Sequence, residues 1–182
     1  FALFLYATGR YAEAELLWRE ALDLTRASLP ASHPAIGISL SNLAGLLMAT
    51  CRYVEAESLY REALDLRRAT LPPGHPTIAA SLNNLADLLN ATGRQVEAEP
   101  LYREALAIER TALSPSDPTI AISLNNFALF LAAAGRYAEA EPFYREALHF
   151  LRATLPPRHL DIAINLSNLA SLLGQMQRFS DS

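Results

Sequence analysis

One 14-residue segment recurs in this chain at a constant interval. SLNNLADLLNATGR begins at Ser81, and similar segments begin at positions 39, 123 and 165, so each step is 42 residues. A repeat of this length predicts a solenoid, in which each unit covers the apolar face of its neighbour. At 182 residues, the chain holds about four and a third such units.

Glycine and proline divide each unit into two helices. In four units the first apolar segment is followed by Gly9, Gly93 or Gly135, or in one of them by Cys51 at the same position. The second apolar segment of each of these units is followed by proline. Glycine readily adopts the left-handed backbone that ends many helices, and proline cannot continue one. We therefore predict an all-α chain with helices near 11–29, 34–50, 53–71, 76–92, 95–113, 118–134, 137–155 and 160–176, and a further turn and helix start before Ser182.

The repeat also predicts the domain organisation. We expect a single array over 1–182, with a partial repeat at 1–30, repeats at 31–72, 73–114 and 115–156, and a partial repeat at 157–182. Terminal repeats normally present a polar cap, and neither end of this sequence resembles one. We therefore expect a fragment of a longer chain, whose uncapped ends would favour head-to-tail self-association.

Small and aromatic residues alternate at helical spacing in the second helix of each unit. Alanine recurs at 14, 56, 98 and 140, and the residue four positions later is Trp18, Tyr60, Tyr102 or Tyr144. A ladder of aromatic rings could stack on a ligand. The paired alanines instead favour close helix packing, so we interpret these aromatics as core.

Composition excludes several classes of function. The net charge of −4 offers no basic stripe for nucleic acid, and Cys51 is the only cysteine. We find no phosphate-binding loop, HExxH, GxSxG or paired-cysteine motif, so we expect no enzyme, no cofactor and no metal site. No apolar run is long enough to span a membrane, and the use of arginine for all basic residues suggests a GC-rich, bacterial source. We expect a cytoplasmic protein.

Histidine recurs just before the first helix of the units. His33, His75 and His159 share this position with Asp117. Packed helices lie on the order of 10 Å apart, which is too far for histidines of successive units to share one ion. An aspartate is a good helix N-cap, so the position is better read as a capping position.

Most charged residues also lie in repeating columns. Glutamate and arginine at i and i+4 form pairs such as Glu57 with Arg61, which stabilise a helix by roughly 0.2–0.5 kcal/mol each. Identical columns spread along an axis do not converge on one catalytic point. The column of Arg26, Arg68, Arg110 and Arg152 complements helix C-termini, and a ladder that binds anions remains an alternative.

The pattern of large and small residues in one unit resembles a tetratricopeptide repeat. Leu85-Ala86, Gly93, Ala98, Tyr102 and Ala105 carry the likeness, together with the wording HPTIAASLNNLADLL, which is similar to the 42-residue repeats of kinesin light chains. The resemblance implies a right-handed superhelical solenoid of antiparallel helix pairs. It also implies a scaffold that binds a protein or peptide in a concave groove lined by the first helix of each unit.

The resemblance places the groove residues on those first helices. Asparagine recurs in each NLA or NFA motif, preceded by serine or asparagine, and one unit adds two further polar residues at i+4 and i+7. The predicted peptide-binding residues are Ser41, Asn42, Asn83, Asn84, Asp87, Asn90, Asn125, Asn126, Ser167 and Asn168. Amides can bond a peptide main chain. The alternative is that Asn84 and its equivalents bond the backbone of the adjacent repeat.

Two other functions remain open from the sequence. The repeats could form the sensor arm of a larger signalling protein, for example one with a nucleotide-binding switch domain. They could also form a structural spacer that assembles with itself. Function resides in sites and not in folds, so the repeat pattern alone does not decide among the three.

Overall fold

The computed structural model describes residues 8–114 and 117–180. The described residues form eight α-helices and no strands. The helices are α1 (Tyr11–Ser28), α2 (Pro34–Ala49), α3 (Tyr53–Thr70), α4 (Pro76–Ala91), α5 (Gln95–Ala112), α6 (Pro118–Ala133), α7 (Tyr137–Thr154) and α8 (Leu160–Ser180). The all-α fold predicted from the sequence is confirmed, and seven of the eight helices end within one residue of the predicted position. In the following, α2, α4, α6 and α8 are A-type helices, and the other four are B-type helices.

The residue before each A-type helix caps it. The Nδ1 atoms of His33 and His75 each accept a hydrogen bond, at 3.2 Å, from the backbone N–H two residues later. Asp117 does the same through its carboxylate at 2.9 Å, and His159 through Nδ1 at 3.3 Å. Donation from the Thr119 side chain and backbone lowers the pKa of Asp117. The predicted capping position is confirmed, because each acceptor satisfies an N–H group that the helix leaves unpaired.

The A-type helices α2, α4 and α6 end in turns with a left-handed residue. Gly93 has φ +77°, and the next residue donates from its backbone N–H to Leu89 O at 2.8 Å. The turn at Cys51 has the same hydrogen bonds, and Cys51 adopts φ +61°. This is the Schellman arrangement, in which glycine avoids the steric cost of a side chain. Cys51 is therefore a turn residue that replaces glycine.

We expect Cys51→Gly to raise the free energy of unfolding by about 0.5–1 kcal/mol. A left-handed conformation costs a non-glycine residue about 1–2 kcal/mol, and the larger backbone entropy of unfolded glycine offsets part of the gain. The matched control is Gly93→Ala, where an added Cβ would meet no atom within 4 Å, so no clash contributes to its loss of stability. Urea unfolding of both variants measures the effect. A less stable Cys51→Gly protein would show that the 3.5 Å contact between Tyr53 Oη and Cys51 Sγ outweighs the strain.

The last helix is longer than predicted. We expected α8 to end near position 176 and a turn to follow, but the helix continues to Ser180. The repeat position that holds Gly9, Cys51, Gly93 and Gly135 is Gln177 in this unit. A long side chain disfavours the left-handed conformation of that turn, so the helix does not end there.

The chain divides into two compact units, Phe1–Leu101 and Tyr102–Ser182. In the first unit, α2 packs against α1 and α3, and α4 packs against α3 and α2. In the second unit, α7 packs against α6 and α8, and the two A-type helices α6 and α8 touch each other. Consecutive helices joined by such short turns run antiparallel. In the first unit α1, α2, α3 and α4 therefore each pack against the next helix in the chain, and in the second unit α6, α7 and α8 do the same.

Alanine and aromatic residues fill the space between the helices. Ala14, Ala56, Ala98 and Ala140 have no exposed surface, and Trp18, Tyr60, Tyr102 and Tyr144 are at most 7% exposed. In the second unit Tyr102 packs with Phe127 and Phe130, with ring centroids 5.8 and 5.2 Å apart. The interpretation of the aromatic column as core is confirmed by this burial.

Candidate functional site: the exposed face of the A-type helices

The A-type helices carry very little charge. Helices α2 and α6 contain no acidic or basic residue, and α4 contains only Asp87. Their exposed sides instead present aliphatic and amide groups. In each unit we call this surface the A-face. In the first unit it comprises Ile38 and the predicted groove residues of α2 and α4, and in the second unit Ile122, Leu129, Ile164, Ser171 and the predicted groove residues of α6 and α8. Ile38 and Ile122 are more than half exposed.

In the first unit the A-face is formed by α2 and α4. Asn83, Asp87 and Asn90 lie one turn apart along α4, and all three are half-buried. Asn42 and Asn84 are also half-buried. Ser41 donates its hydroxyl to Gly37 O of its own helix at 2.9 Å. The structure therefore brings the polar residues of α4 onto one side, as the spacing predicted.

An arginine from a B-type helix connects α2 and α4 beneath this face. The guanidinium of Arg67 on α3 donates to the Ser81 hydroxyl and, at 3.1 Å, to Gly37 O. Arg67 is 8% exposed, and burial lowers its pKa. Removing a cation from water costs free energy that neutral partners repay only in part. This contact therefore links α2 and α4 at a cost in the stability of the fold.

In the second unit two A-type helices are joined by asparagine side chains. Asn125 Oδ1 on α6 accepts from Asn165 Nδ2 at 3.2 Å and from Asn168 Nδ2 at 3.3 Å, both on α8. One carbonyl oxygen has two lone pairs and can accept both bonds. Asn168 is the equivalent of Asn84, for which a bond to the backbone of the adjacent repeat was the alternative to peptide binding. For Asn168 the partner is a side chain of the preceding repeat.

A cavity of about 280 Å³ lies beside this asparagine cluster. It is lined by Leu129, Ala132, Tyr137, Tyr144, Asn168, Ser171, Leu172 and Gln175. Burial raises the pKa of Tyr144 to about 12, so the phenol is neutral in this wall. Of the remaining predicted residues, Asn126 is half-buried and Ser167 is exposed. The cavity combines apolar and polar groups, as ligand sites do, and its volume lies just below the roughly 300–1,000 Å³ of typical small-molecule sites.

Residues at two repeat positions take part in this region and were not predicted from the sequence. One position holds Arg67, Glu109 and Leu151 on successive B-type helices, and the other holds Ser81, Ser123 and Asn165 on the A-type helices that follow. Ser123 donates to Glu109 Oε1 at 2.9 Å, which parallels the bond between Arg67 and Ser81. The sequence feature that could have indicated them is a break in the repeat, because Arg67 is one of only two arginines that do not recur at 42-residue steps.

The repeating charges lie on the B-type helices and in the turns that precede them. Arg52 joins Glu15 and Glu55 at 2.6 Å each, and Arg94 joins Glu57 at 2.7 Å and Glu97 at 2.6 Å. The predicted i,i+4 pairs form for Glu15–Arg19, Glu57–Arg61 and Glu141–Arg145. Arg26 and Arg110 of the possible anion ladder contact Glu62 and Glu146. These two guanidinium groups therefore already hold a carboxylate of the next B-type helix.

Within residues 8–114 and 117–180, no group of three or more His, Cys, Asp or Glu side chains is placed to hold a metal ion. In the same described ranges, no helix is both long and apolar enough to cross a membrane.

Comparison with known proteins assigns the family. The model of the tetratricopeptide repeat family matches residues 1–69, 36–111 and 119–182. No curated protein matches the sequence. A putative kinesin light chain from Podosopora anserina with nearly identical TPR-like repeats is 25% identical, with a TM-score of 0.81 over 99% of this chain and 87% of that one. A variant of that protein is 26% identical, with a TM-score of 0.82 over 99% and 86% of the two chains.

A third solved structure is similar in fold. BtubC (BKLC) from P. vanneervenii is 22% identical, with a TM-score of 0.86 over 98% of this chain and 71% of that one. The matched residues, the 42-residue period and the paired helices agree with one another. The chain therefore belongs to the tetratricopeptide repeat family, in the kinesin-light-chain-like form.

Proposed function

We propose that this chain is a scaffold that binds a protein or peptide along its A-face. Tetratricopeptide repeats are generally protein-interaction scaffolds. The observation that carries the proposal is the cavity of about 280 Å³ formed by α6, α7 and α8, which is lined by Leu129, Asn168 and Ser171 among others. Concave sites with apolar walls and a few placed polar groups are the usual form of a binding site.

The chemistry of the A-face favours an extended peptide that is read through its main chain. Amide side chains can both donate and accept, and a peptide backbone presents both kinds of group. Among the described residues that line the cavity beside Asn168 there is no arginine, so an acidic peptide would find no cation in that wall. Apolar side chains of the ligand would instead contact Leu129 and Ala132. We therefore favour an uncharged or weakly basic ligand.

In the first unit, we expect α4 to make the main contact. Asn83, Asp87 and Asn90 lie on one side of this helix over two turns, and the other A-type helices have fewer polar groups at those positions. All three side chains are half-buried, and because the Oδ1 atom of Asn83 is buried, Asn83 could reach a ligand only through its Nδ2. This makes α4 the part of the first unit best suited to bond a ligand backbone.

The test is peptide binding by a double variant. Peptides selected from a random library on the whole chain would be titrated, by fluorescence anisotropy, against Asn83→Ala with Asn90→Ala. Loss of two amide hydrogen bonds is expected to weaken binding about tenfold, while the melting temperature changes little. The matched control is Glu20→Ala with Asp23→Ala on α1, where both side chains are exposed.

The outcomes separate the possible functions. Weaker binding by the α4 variant alone supports the scaffold. Equal affinity for both double variants would contradict a ligand on α4. A library that yields no binder, together with oligomers that persist on dilution, would favour the self-assembling spacer instead.

A further inference from the structure

A second cavity, of about 190 Å³, lies at the other side of the asparagine cluster of the second unit. The residues of its wall that matter here are Ile122 and Asn125 of α6, Leu151 of α7, and Asp161, Ile164 and Asn165 of α8. We call it the Asn165 pocket. It is smaller than the roughly 300–1,000 Å³ of typical small-molecule sites, so it suits one side chain better than a whole small molecule.

The Asn165 pocket exists because this repeat has smaller or different residues at positions that are filled in the preceding repeats. In two repeats a long charged side chain of a B-type helix reaches the serine hydroxyl fourteen residues later, as in Arg67 with Ser81 and Glu109 with Ser123. At the third equivalent pair, Leu151 replaces the charged residue and Asn165 replaces the serine. Leucine is shorter than arginine and cannot bond the asparagine, so the pair leaves a cavity and a polar group without its usual partner.

Asn165 carries the unmet hydrogen-bonding group. It is 1% exposed, and its Nδ2 donates to Asn125 Oδ1 at 3.2 Å. Its own Oδ1 is buried and accepts no hydrogen bond from the described residues. Buried polar atoms in native proteins almost always have a partner, and leaving one unpaired is costly. A ligand that donates an N–H to this oxygen would supply the partner.

The charge around the pocket limits what that donor can be. Among the described residues of the wall, Asp161 is the only ionisable one, and its side chain is half exposed. A carboxylate ligand would be repelled, and a cation would be attracted at the mouth. At the buried oxygen itself an ammonium group would lose its hydration, so a neutral peptide N–H fits better there. Ile122 and Ile164, 55% and 46% exposed, leave an aliphatic surface for the ligand to cover.

We infer that the Asn165 pocket binds one aliphatic side chain of a peptide ligand, whose own main-chain N–H donates to Asn165 Oδ1. A basic residue next to that aliphatic residue is favoured by Asp161. This inference rests on the proposed peptide-binding function, and it adds the class of sequence that the ligand carries.

The ligand side of the test uses defined peptides on the whole chain. The probes are capped, labelled heptapeptides with a central leucine flanked by lysine, serine or glutamate, and a lysine-flanked form whose leucine nitrogen is methylated. We expect affinity to fall in the order lysine, serine, glutamate. Methylation replaces the N–H donor with a methyl group and is expected to weaken binding about tenfold or more, since it leaves the buried acceptor unpaired. Equal binding of the methylated peptide would overturn the role of Asn165.

The protein side uses a variant copied from the neighbouring repeat. Leu151→Glu with Asn165→Ser recreates the pair formed by Glu109 and Ser123, so it is expected to fold while closing the pocket. Leucine peptides are expected to bind this variant about tenfold more weakly, and Asp161→Asn is expected to remove the preference for lysine. Thermal unfolding of each variant confirms that it remains folded.

The results distinguish the two proposals. Leucine peptides that bind the double variant as tightly as the unaltered chain would overturn the pocket assignment and leave the A-face as the ligand surface. Absence of binding by any leucine peptide up to about 1 mM, together with no binder from the random library, would overturn both.

Discussion

Replacing Tyr102 with alanine is expected to lower the free energy of unfolding by about 3–5 kcal/mol, as for other large aromatic residues in a packed core. Tyr102 is 1% exposed, and its ring lies 5.2 Å from that of Phe130. Phe127 extends the same cluster, with its ring 4.9 Å from that of Phe143. Truncation removes buried apolar surface and leaves a cavity that the surrounding helices can fill only in part.

The control for this prediction is Tyr102→Phe, which keeps the ring and removes the hydroxyl. A volume-conserving change of this kind is expected to cost less than about 1.5 kcal/mol. Urea unfolding of both variants gives the comparison. If the alanine variant lost less than about 1 kcal/mol but bound peptides poorly, the aromatic column would be a ligand-stacking surface and not core.

Replacing Arg67 with methionine is expected to raise the free energy of unfolding by about 1–4 kcal/mol, because apolar residues of similar volume often replace buried charges with a gain. The contacts described for the guanidinium are to neutral groups, the Ser81 hydroxyl and Gly37 O. Neither loses its only partner. Ser81 still donates to Thr77 O at 3.1 Å, and Gly37 O still accepts from Ser41 at 2.9 Å.

Arg67→Ala is the matched comparison at the same position. It removes the charge as well, but it also leaves a cavity, so it is expected to be about 2–5 kcal/mol less stable than the methionine variant. The methionine variant should therefore have the highest urea midpoint of the three proteins. A methionine variant less stable than the unaltered chain would show that the contacts of the guanidinium with α2 and α4 outweigh its desolvation.

Repetition made the helices and their ends predictable from the sequence. The same glycine, proline and capping residues recur at a fixed interval, and each has a local physical effect that depends little on distant parts of the chain. The end of α8 shows the limit of this inference. There the glycine position holds Gln177, so the local signal for a turn is missing and the helix continues.

The contacts between A-type helices could not be predicted in the same way. Arg67, Glu109 and Leu151 share one repeat position but differ in charge and length, and the sequence does not say which neighbour each one contacts. The bonds from Asn165 and Asn168 to Asn125 join residues 40 and 43 positions apart in sequence, and they depend on the distance between two helices. Such distances result from tertiary packing. Helix propensity and the periodicity of apolar residues predict secondary structure and do not give the distance between two helices.

The most direct test of ligand binding on the A-face is a methyl NMR titration of the whole chain with a library-selected peptide. We predict shifts of the methyl groups of Ile122, Leu129 and Ile164, which lie on A-type helices. The exposed methyl groups of Leu16, Val54 and Val96, on B-type helices, should not move. Shifts confined to the B-type methyl groups would contradict the A-face as the binding surface.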